Sequence, residues 1–320
     1  MTKIVVPDDE PPVFTATTEE KRLRQLGEVV IHNSRALSDA ELLKRIADAD
    51  IVLNIRSTSV FTANVMENSH RLKLISIYGV GYDNVDISSA SKLNITVTNT
   101  PGYSTVAVSE MALALMLAVA RKIVQNDRTI RSGEWARGYA SQLCGKTLGV
   151  IGTGSIGQRM LQLGKALGME VIAWTFHPSP ERASQYGVEF VSLEDIMRRS
   201  DVLSIHVLAS PETNNLISKH ELMMMKSTAL LINTSRGSVI NEPDLIEALT
   251  NNTIAGAGLD VFAAEPLPAD SPLRSLDNVV LSPHTAAMVP EATLAGLSMA
   301  VDNVANFLQG NATNVIPAAA

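Results

Sequence analysis

Gly149-Val150-Ile151-Gly152-Thr153-Gly154-Ser155-Ile156-Gly157 is the stretch whose reading decides the fold. Lys146-Thr147-Leu148 leads into it as an apolar strand, and Gln158-Arg159-Met160-Leu161-Gln162-Leu163 leaves it with helical periodicity. A strand, a turn with glycines at 152, 154 and 157, and a helix together make a dinucleotide-binding unit. Gly152 permits the tight turn, and Gly154 leaves no side chain between the backbone and a pyrophosphate. Gly157 lets the helix pack closely on the strand. The helix N-terminus then offers N–H groups and a positive dipole end to phosphate. Glycines at this spacing are a weak signal alone; the strand before and the helix after give them their meaning.

Outward from this unit, short β-type runs alternate with helical stretches, the pattern of parallel α/β layers. Strands are predicted at 3–6, 29–32, 51–55, 74–77 and 95–98, with amphipathic segments such as 19–26 and 39–47 between them. A second series runs 147–151, 170–174, 201–206, 229–233, 254–259 and 279–282, with helices at 155–167, 193–198, 219–224 and 243–250. Helix 104–123 is apolar around most of its circumference and is expected to connect two domains. A last helix is expected at 290–309, followed by a small polar tail, 310–320, expected to pack loosely. The fold class is therefore α/β, with two doubly wound parallel-sheet (Rossmann-like) domains and a cleft between them.

Bulk properties bound the function. A chain of 320 residues is long for one core, and 46% hydrophobic with 18% charged residues describes a well-buried globular protein. A net charge of −7 argues against nucleic acid as partner. The start, Met1-Thr2-Lys3-Ile4-Val5-Val6-Pro7, has no secretory h-region, and the longest apolar run, 111–120, is too short for a membrane span. Cys144 is the single cysteine, which excludes an intramolecular disulfide and fits a reducing compartment. No His/Cys cluster has metal-ligand spacing, so no metal is expected, and a cytoplasmic location is the plain reading.

Three later segments carry polar residues at the ends of predicted strands, where open α/β sheets bind ligands. In Leu231-Ile232-Asn233-Thr234-Ser235-Arg236-Gly237-Ser238, Arg236 has the donors to clamp a carboxylate. Gly258-Leu259-Asp260-Val261-Phe262-Ala263-Ala264-Glu265-Pro266 places Asp260 and Glu265 just past another strand, and Val280-Leu281-Ser282-Pro283-His284-Thr285 brings one histidine. A lone histidine is more often structural. A His–Glu pair, however, favours the protonated ring and fixes its tautomer, so that the ring donates a proton to a carbonyl oxygen as hydride reaches carbon. Blander readings suit other residues: His206 as core, Met223-Met224-Met225 as adaptable packing, Asp83 and Asp86 as helix caps, and Cys144 as inert.

These segments, in this order, resemble the D-isomer-specific 2-hydroxyacid dehydrogenase family over nearly the whole chain. The likeness extends to Arg56-Ser57-Thr58-Ser59-Val60, Tyr78-Gly79-Val80-Gly81-Tyr82-Asp83-Asn84-Val85-Asp86 and Thr98-Asn99-Thr100-Pro101-Gly102. The resemblance implies Arg236 as carboxylate clamp, His284 as general acid/base and Glu265 as its support. It further implies a substrate loop at Val80 and Gly81 with Arg56 and Ser57, Thr234 and Asp260 facing the nicotinamide, and Ser155 and Ile156 over the pyrophosphate. A discontinuous, flavodoxin-like substrate domain of 1–100 plus 285–320 and an NAD(P)-binding domain of 101–284 follow from it, as does a homodimer. The reaction implied is hydride transfer between NAD(P) and C2 of a small 2-oxo or 2-hydroxy acid. The alternatives are a dinucleotide-sensing, co-repressor-like binding protein on the same scaffold and a formate dehydrogenase-like enzyme.

One departure concerns the cofactor. NAD-preferring members carry an acidic residue at the end of the second strand for the ribose 2′-OH. Here Val171-Ile172-Ala173-Trp174 runs into Thr175-Phe176-His177. Without the carboxylate a 2′-phosphate is not repelled, and Thr175 or His177 has a hydrogen bond to offer it, with Arg182 further along. The reading favours NADP over NAD.

Overall fold

Continuous apolar runs such as Ile51-Val52-Leu53 and Leu230-Leu231-Ile232 are what parallel strands need, because helices cover both of their faces. The computed structural model describes residues 1–318, so the last two residues of the expected tail lie outside the described residues. The chain forms two units, Met1–Ser104 with the segment from Val289 onward, and Thr105–Met288.

The first unit has five strands: β1 (Lys3–Val6), β2 (Glu28–Ile31), β3 (Ile51–Asn54), β4 (Leu74–Ile77) and β5 (Thr96–Thr98). All are parallel, in the order β2-β1-β3-β4-β5, the doubly wound order of flavodoxin-like sheets. Alternate residues feed two cores. Val5, Val52 and Ile75 pack with Phe61, Val65 and Val85. Ile4, Leu53 and Leu74 pack on the opposite face with Leu297, Ala300, Val301 and Val304 of the helix Pro290–Leu308. The tail is exposed from residue 310 to 315, as expected, but is pinned at one point. Ile316 joins the first of these cores and donates its N–H to the Val97 carbonyl at 2.9 Å, while Val315 bridges Thr98. Among small polar neighbours, Ile316 is the residue that gains from burial.

The second unit has seven parallel strands: β6 (Thr147–Ile151), β7 (Glu170–Trp174), β8 (Glu189–Phe190), β9 (Val202–Ile205), β10 (Leu230–Asn233), β11 (Gly256–Leu259) and β12 (Val279–Leu281). Their order is β12-β11-β10-β9-β6-β7-β8, so the winding reverses between β6 and β9. The crevice outside the carboxyl ends at such a reversal is where these sheets take ligands. β8 exceeds the six strands predicted; at two residues it is too short to show a period.

Helix Thr105–Ala120, expected to connect two domains, begins where the units divide. It belongs to the second unit, where Ala112, Leu115 and Met116 share a core with Leu148, Val150 and Ile232. It stops at Ala120, and a separate helix, Ile123–Arg131, starts after Lys122 turns in the left-handed region at φ 54°. The units divide at 104/105 and 288/289, a few residues beyond 100/101 and 284/285. Thr100 is tied back to Gly79 by two hydrogen bonds, and Thr285 and Ala286 are tied to Asp260.

Local sequence fixes most helix starts. Thr17, Ser38, Thr62, Asp86, Ser179, Ser192 and Asn241 each accept an N–H of the first turn, worth about 1 kcal/mol per cap. Helix Ser155–Ala166 has Gly154 at this position and no side-chain cap.

Candidate active site

The glycine turn after β6 shows why each glycine stands where it does. Gly152 has φ +90°, and a Cβ there would lie 2.5 Å from the His206 carbonyl oxygen. At Gly157 a Cβ would lie 1.9 Å from the Gly152 carbonyl oxygen, so any side chain would part the helix from the turn. At Gly154 a Cβ would meet nothing within 4 Å. Packing therefore does not require glycine at 154; the open space beside its backbone does suit an incoming phosphate. The uncapped first turn, with Ser155 exposed and Ile156 half-buried, faces it with unpaired N–H groups. Across the sheet reversal, Thr234 Oγ1 at the end of β10 is buried with no partner. An orphaned hydroxyl is costly unless a ligand satisfies it. Together these features fit a dinucleotide.

Beyond the end of β7, Thr175 is half-buried and His177 exposed. Arg182 returns from the following helix to this point. Its Nη1 donates to the His177 carbonyl at 2.6 Å and its Nη2 to Thr153 Oγ1, inside the glycine turn, at 2.5 Å. The guanidinium also stacks near the Tyr186 and Phe190 rings, 5.8 and 5.7 Å from their centroids. Sequence spacing alone understated how near Arg182 comes to the phosphate turn.

The three strand-end segments of the second unit converge. His284 Nδ1 pairs with Glu265 Oε2 at 2.7 Å, and Glu265 Oε1 accepts the Phe262 N–H at 3.1 Å. Partial burial pushes the Glu265 carboxyl up, but the His284 and Phe262 hydrogen bonds and the nearby Arg236 charge outweigh it and hold it below its ordinary range. Gly237 makes this meeting possible, since a Cβ there would lie 2.0 Å from the Phe262 carbonyl carbon and oxygen. Arg236 is half-buried, its Nη1 donating to the Ser235 carbonyl at 2.9 Å, and its own carbonyl accepts from Asn233 Nδ2 at 2.9 Å.

His284 stands at φ 53°, a left-handed conformation costing a non-glycine residue roughly 1–2 kcal/mol. Asp260 holds it there. Its carbonyl accepts the His284 N–H at 2.7 Å, and its fully buried carboxylate accepts the N–H groups of Thr285 and Ala286 at 3.0 Å each. These contacts tie Asp260 to the histidine loop, beside the nicotinamide-facing position that the resemblance implies for it.

In the first unit, the loop after β4 carries Val80 and Gly81. Gly79 donates to Thr100 Oγ1 at 2.8 Å and accepts from the Thr100 N–H at 3.0 Å, and the Val80 carbonyl accepts from Asn99 Nδ2 at 2.8 Å. Among the described residues, no acceptor engages the N–H of Val80 or Gly81. Val80 and Gly81 are each half-buried. Past β3, Arg56 is half-buried and donates to the Pro11 carbonyl, its Nε buried without a partner, and Ser57 is exposed. Among the described residues no His, Cys, Asp and Glu group is arranged to hold a metal ion, and no helix is long and apolar enough to cross a membrane.

A doubly wound sheet with a phosphate-binding turn at its reversal, and a His–Glu pair at the same carboxyl edge, defines an α/β enzyme working with a dinucleotide. Known proteins agree. The family described as "D-isomer specific 2-hydroxyacid dehydrogenase, NAD binding domain" matches residues 113–286. A glyoxylate reductase of Aeropyrum pernix is 41% identical over 278 residues, spanning 84% of this chain and 83% of that protein. A D-3-phosphoglycerate dehydrogenase of Methanocaldococcus jannaschii is 39% identical over 300 residues, 92% of this chain but 56% of that longer protein. A solved acyclic imino acid reductase in complex with NADPH and D-Arg superposes with a TM-score of 0.90 at 31% identity, over 99% of this chain and 100% of that one. The chain belongs to the D-isomer specific 2-hydroxyacid dehydrogenase family and is an NAD(P)-dependent oxidoreductase.

Proposed function

We propose that this enzyme reduces a small 2-oxo acid, glyoxylate or a close analogue, to the 2-hydroxy acid and prefers NADPH. The observation that carries the reading is the 2.7 Å His284–Glu265 pair beside Arg236. The nicotinamide, when bound, supplies the hydride. Glu265, held ionised, engages Nδ1 and orients the ring, which leaves Nε2 to donate the proton that the substrate oxygen gains. Arg236 takes the substrate carboxylate through parallel N–H donors. In this reading the first unit is the substrate domain and Val80 and Gly81 receive the carboxylate through their N–H groups, with Arg56 and Ser57 nearby. The second unit is the cofactor domain.

The NADP preference rests on Arg182. Thr175 presents no carboxylate to repel a 2′-phosphate, and Arg182 brings positive charge to the glycine turn. Glyoxylate as substrate rests on the relatives of that activity. A homodimer is part of the proposal, supported by a run of exposed apolar side chains between Ile123 and Tyr139.

The test is loss of reduced-nicotinamide absorbance with NADPH and NADH, each against glyoxylate, hydroxypyruvate, pyruvate and bulkier 2-oxo acids. Turnover fastest with a small acid and NADPH is expected. Tight NADPH binding with no turnover of any acid would overturn the reading in favour of a dinucleotide sensor.

A further inference from the structure

The loop that carries Val80 and Gly81 is braced from an unexpected direction, the C-terminal segment. Asn99 is the centre of this bracing. Its side-chain Nδ2 donates to the Val80 carbonyl at 2.8 Å, while its backbone carbonyl accepts from Asn303 Nδ2 at 2.9 Å. Its N–H donates to the Asn314 carbonyl at 3.2 Å. Asn303 lies on helix Pro290–Leu308 and is 0% exposed, a position where an amide survives only if its groups are paired. Its Oδ1 accepts from Thr313 Oγ1 at 3.1 Å and from Asn314 Nδ2 at 2.9 Å. Ile316 completes the brace by pairing with Val97.

We infer that Asn303 is a positioning residue for substrate binding, fastening the C-terminal segment to Asn99 and thereby fixing the Val80–Gly81 peptide. The inference rests on the reading that Val80 and Gly81 receive the substrate carboxylate. With Gly79 held at both its N–H and its carbonyl by Thr100, the Val80 carbonyl is the remaining handle on the orientation of the next peptide. Rotation about that peptide swings the Gly81 N–H away from an anion, so Asn99 and Asn303 pre-organise a donor that touches neither of them.

The experiment compares Asn303→Ala, Asn99→Ala, Asn314→Ala and Gly81→Pro for KM and kcat with the best 2-oxo acid, Kd for NADPH, and thermal melting. Asn303→Ala and Asn99→Ala are each expected to raise KM about tenfold, the size of one hydrogen bond's effect on binding. NADPH Kd stays unchanged, and the double variant is no worse than the poorer single one. Asn314→Ala, at an exposed position, raises KM less and keeps the test available when the buried substitution does not fold. Folded Asn303→Ala or Asn314→Ala protein with unaltered KM overturns the inference. Gly81→Pro removes one N–H and leaves the Asn99 contact. A raised KM there, with none in Asn99→Ala and Asn303→Ala, defeats the bracing alone; an unchanged KM in Gly81→Pro defeats the carboxylate reading and the inference with it.

Discussion

In the proposed reaction His284 moves the proton, and two features of its setting make that role testable. Its ring is aligned by Glu265 and its left-handed backbone is held by Asp260. His284→Ala is expected to lower kcat by about 10²–10⁴-fold, the usual contribution of a general acid, with NADPH affinity unchanged in a fluorescence titration. Equal loss of NADPH affinity and turnover would instead mark a collapsed loop. Arg182 makes a second residue-scale prediction. Arg182→Ala is expected to raise the KM for NADPH about tenfold or more, as loss of a charge-assisted hydrogen bond does, and to leave NADH nearly untouched. An unchanged NADPH-to-NADH ratio would remove it from 2′-phosphate recognition. The sequence pointed to Arg236, Glu265 and His284 because each follows an apolar strand on the nucleotide-binding half, and the structure brings Glu265 and His284 into contact. The sequence did not show the contacts of Asp260, whose partners at 285 and 286 follow from a turn, or of Asn303, 204 positions from Asn99. Such pairings are set by tertiary packing and leave no local period.

At the scale of elements, strands were easier to read than their ends. β1, β4, β6 and β7 run over the residues that apolar runs predicted, because parallel strands buried on both faces read as near-continuous apolar runs, a buried polar residue such as Ser76 being paired, here to the Ala300 carbonyl. β8 and the short helix Ala63–Glu67 escaped explicit prediction, since a few residues cannot display a period, whereas Asp86, read as a helix cap, does cap the short helix Ile87–Lys92. The helix read over 104–123 stops at Ala120, and the left-handed turn at Lys122 separates it from the next. How elements touch decides one further prediction. Gly237 lies where the loop after β10 crosses the backbone of Phe262 and Ala263, with a Cβ contact of 2.0 Å that no rotamer can relieve. Gly237→Ala is expected to destabilise the fold by about 1–3 kcal/mol in urea unfolding, as overpacking does. It also moves Arg236 relative to Glu265, and a misplacement of about 1 Å is expected to cost up to about 10²-fold in kcat/KM. Wild-type stability and rate in this variant would show that the loops yield freely.

Two expectations belong to the whole molecule. The first concerns pH. His206 Nε2 pairs with Ser204 Oγ at 2.7 Å at the end of β9, and although part of the residue reaches solvent, burial of the ring pushes its pKa down from 6.5 to about 3. The unfolded chain therefore binds a proton that the folded one refuses. The stabilising effect is complete above pH 6.5 and is lost progressively as pH falls toward 3. His206→Gln, which keeps a hydrogen-bonding side chain but cannot titrate, should give a flatter melting-temperature profile between pH 6.5 and 4.5. An identical slope would place the acid sensitivity elsewhere.

The second concerns assembly. Helix Ile123–Arg131 buries none of its nine residues within the chain, yet Ile123 and Ile130 lie seven apart and share a side of it. So short a helix is marginal alone in water and normally depends on packing for its stability. Just beyond it, Trp135 is 74% and Tyr139 99% exposed, and aromatic side chains of this kind are enriched where proteins meet. A second copy of the chain would cover them. Sedimentation velocity at micromolar concentration should then give a species of about twice the 34.3 kDa chain mass, and Ile130→Asp with Trp135→Asp should shift it to the monomer while leaving the β6–glycine turn–helix unit competent to bind NADPH. A wild-type monomer would sink the dimer, and a doubly substituted dimer would move its interface to another surface.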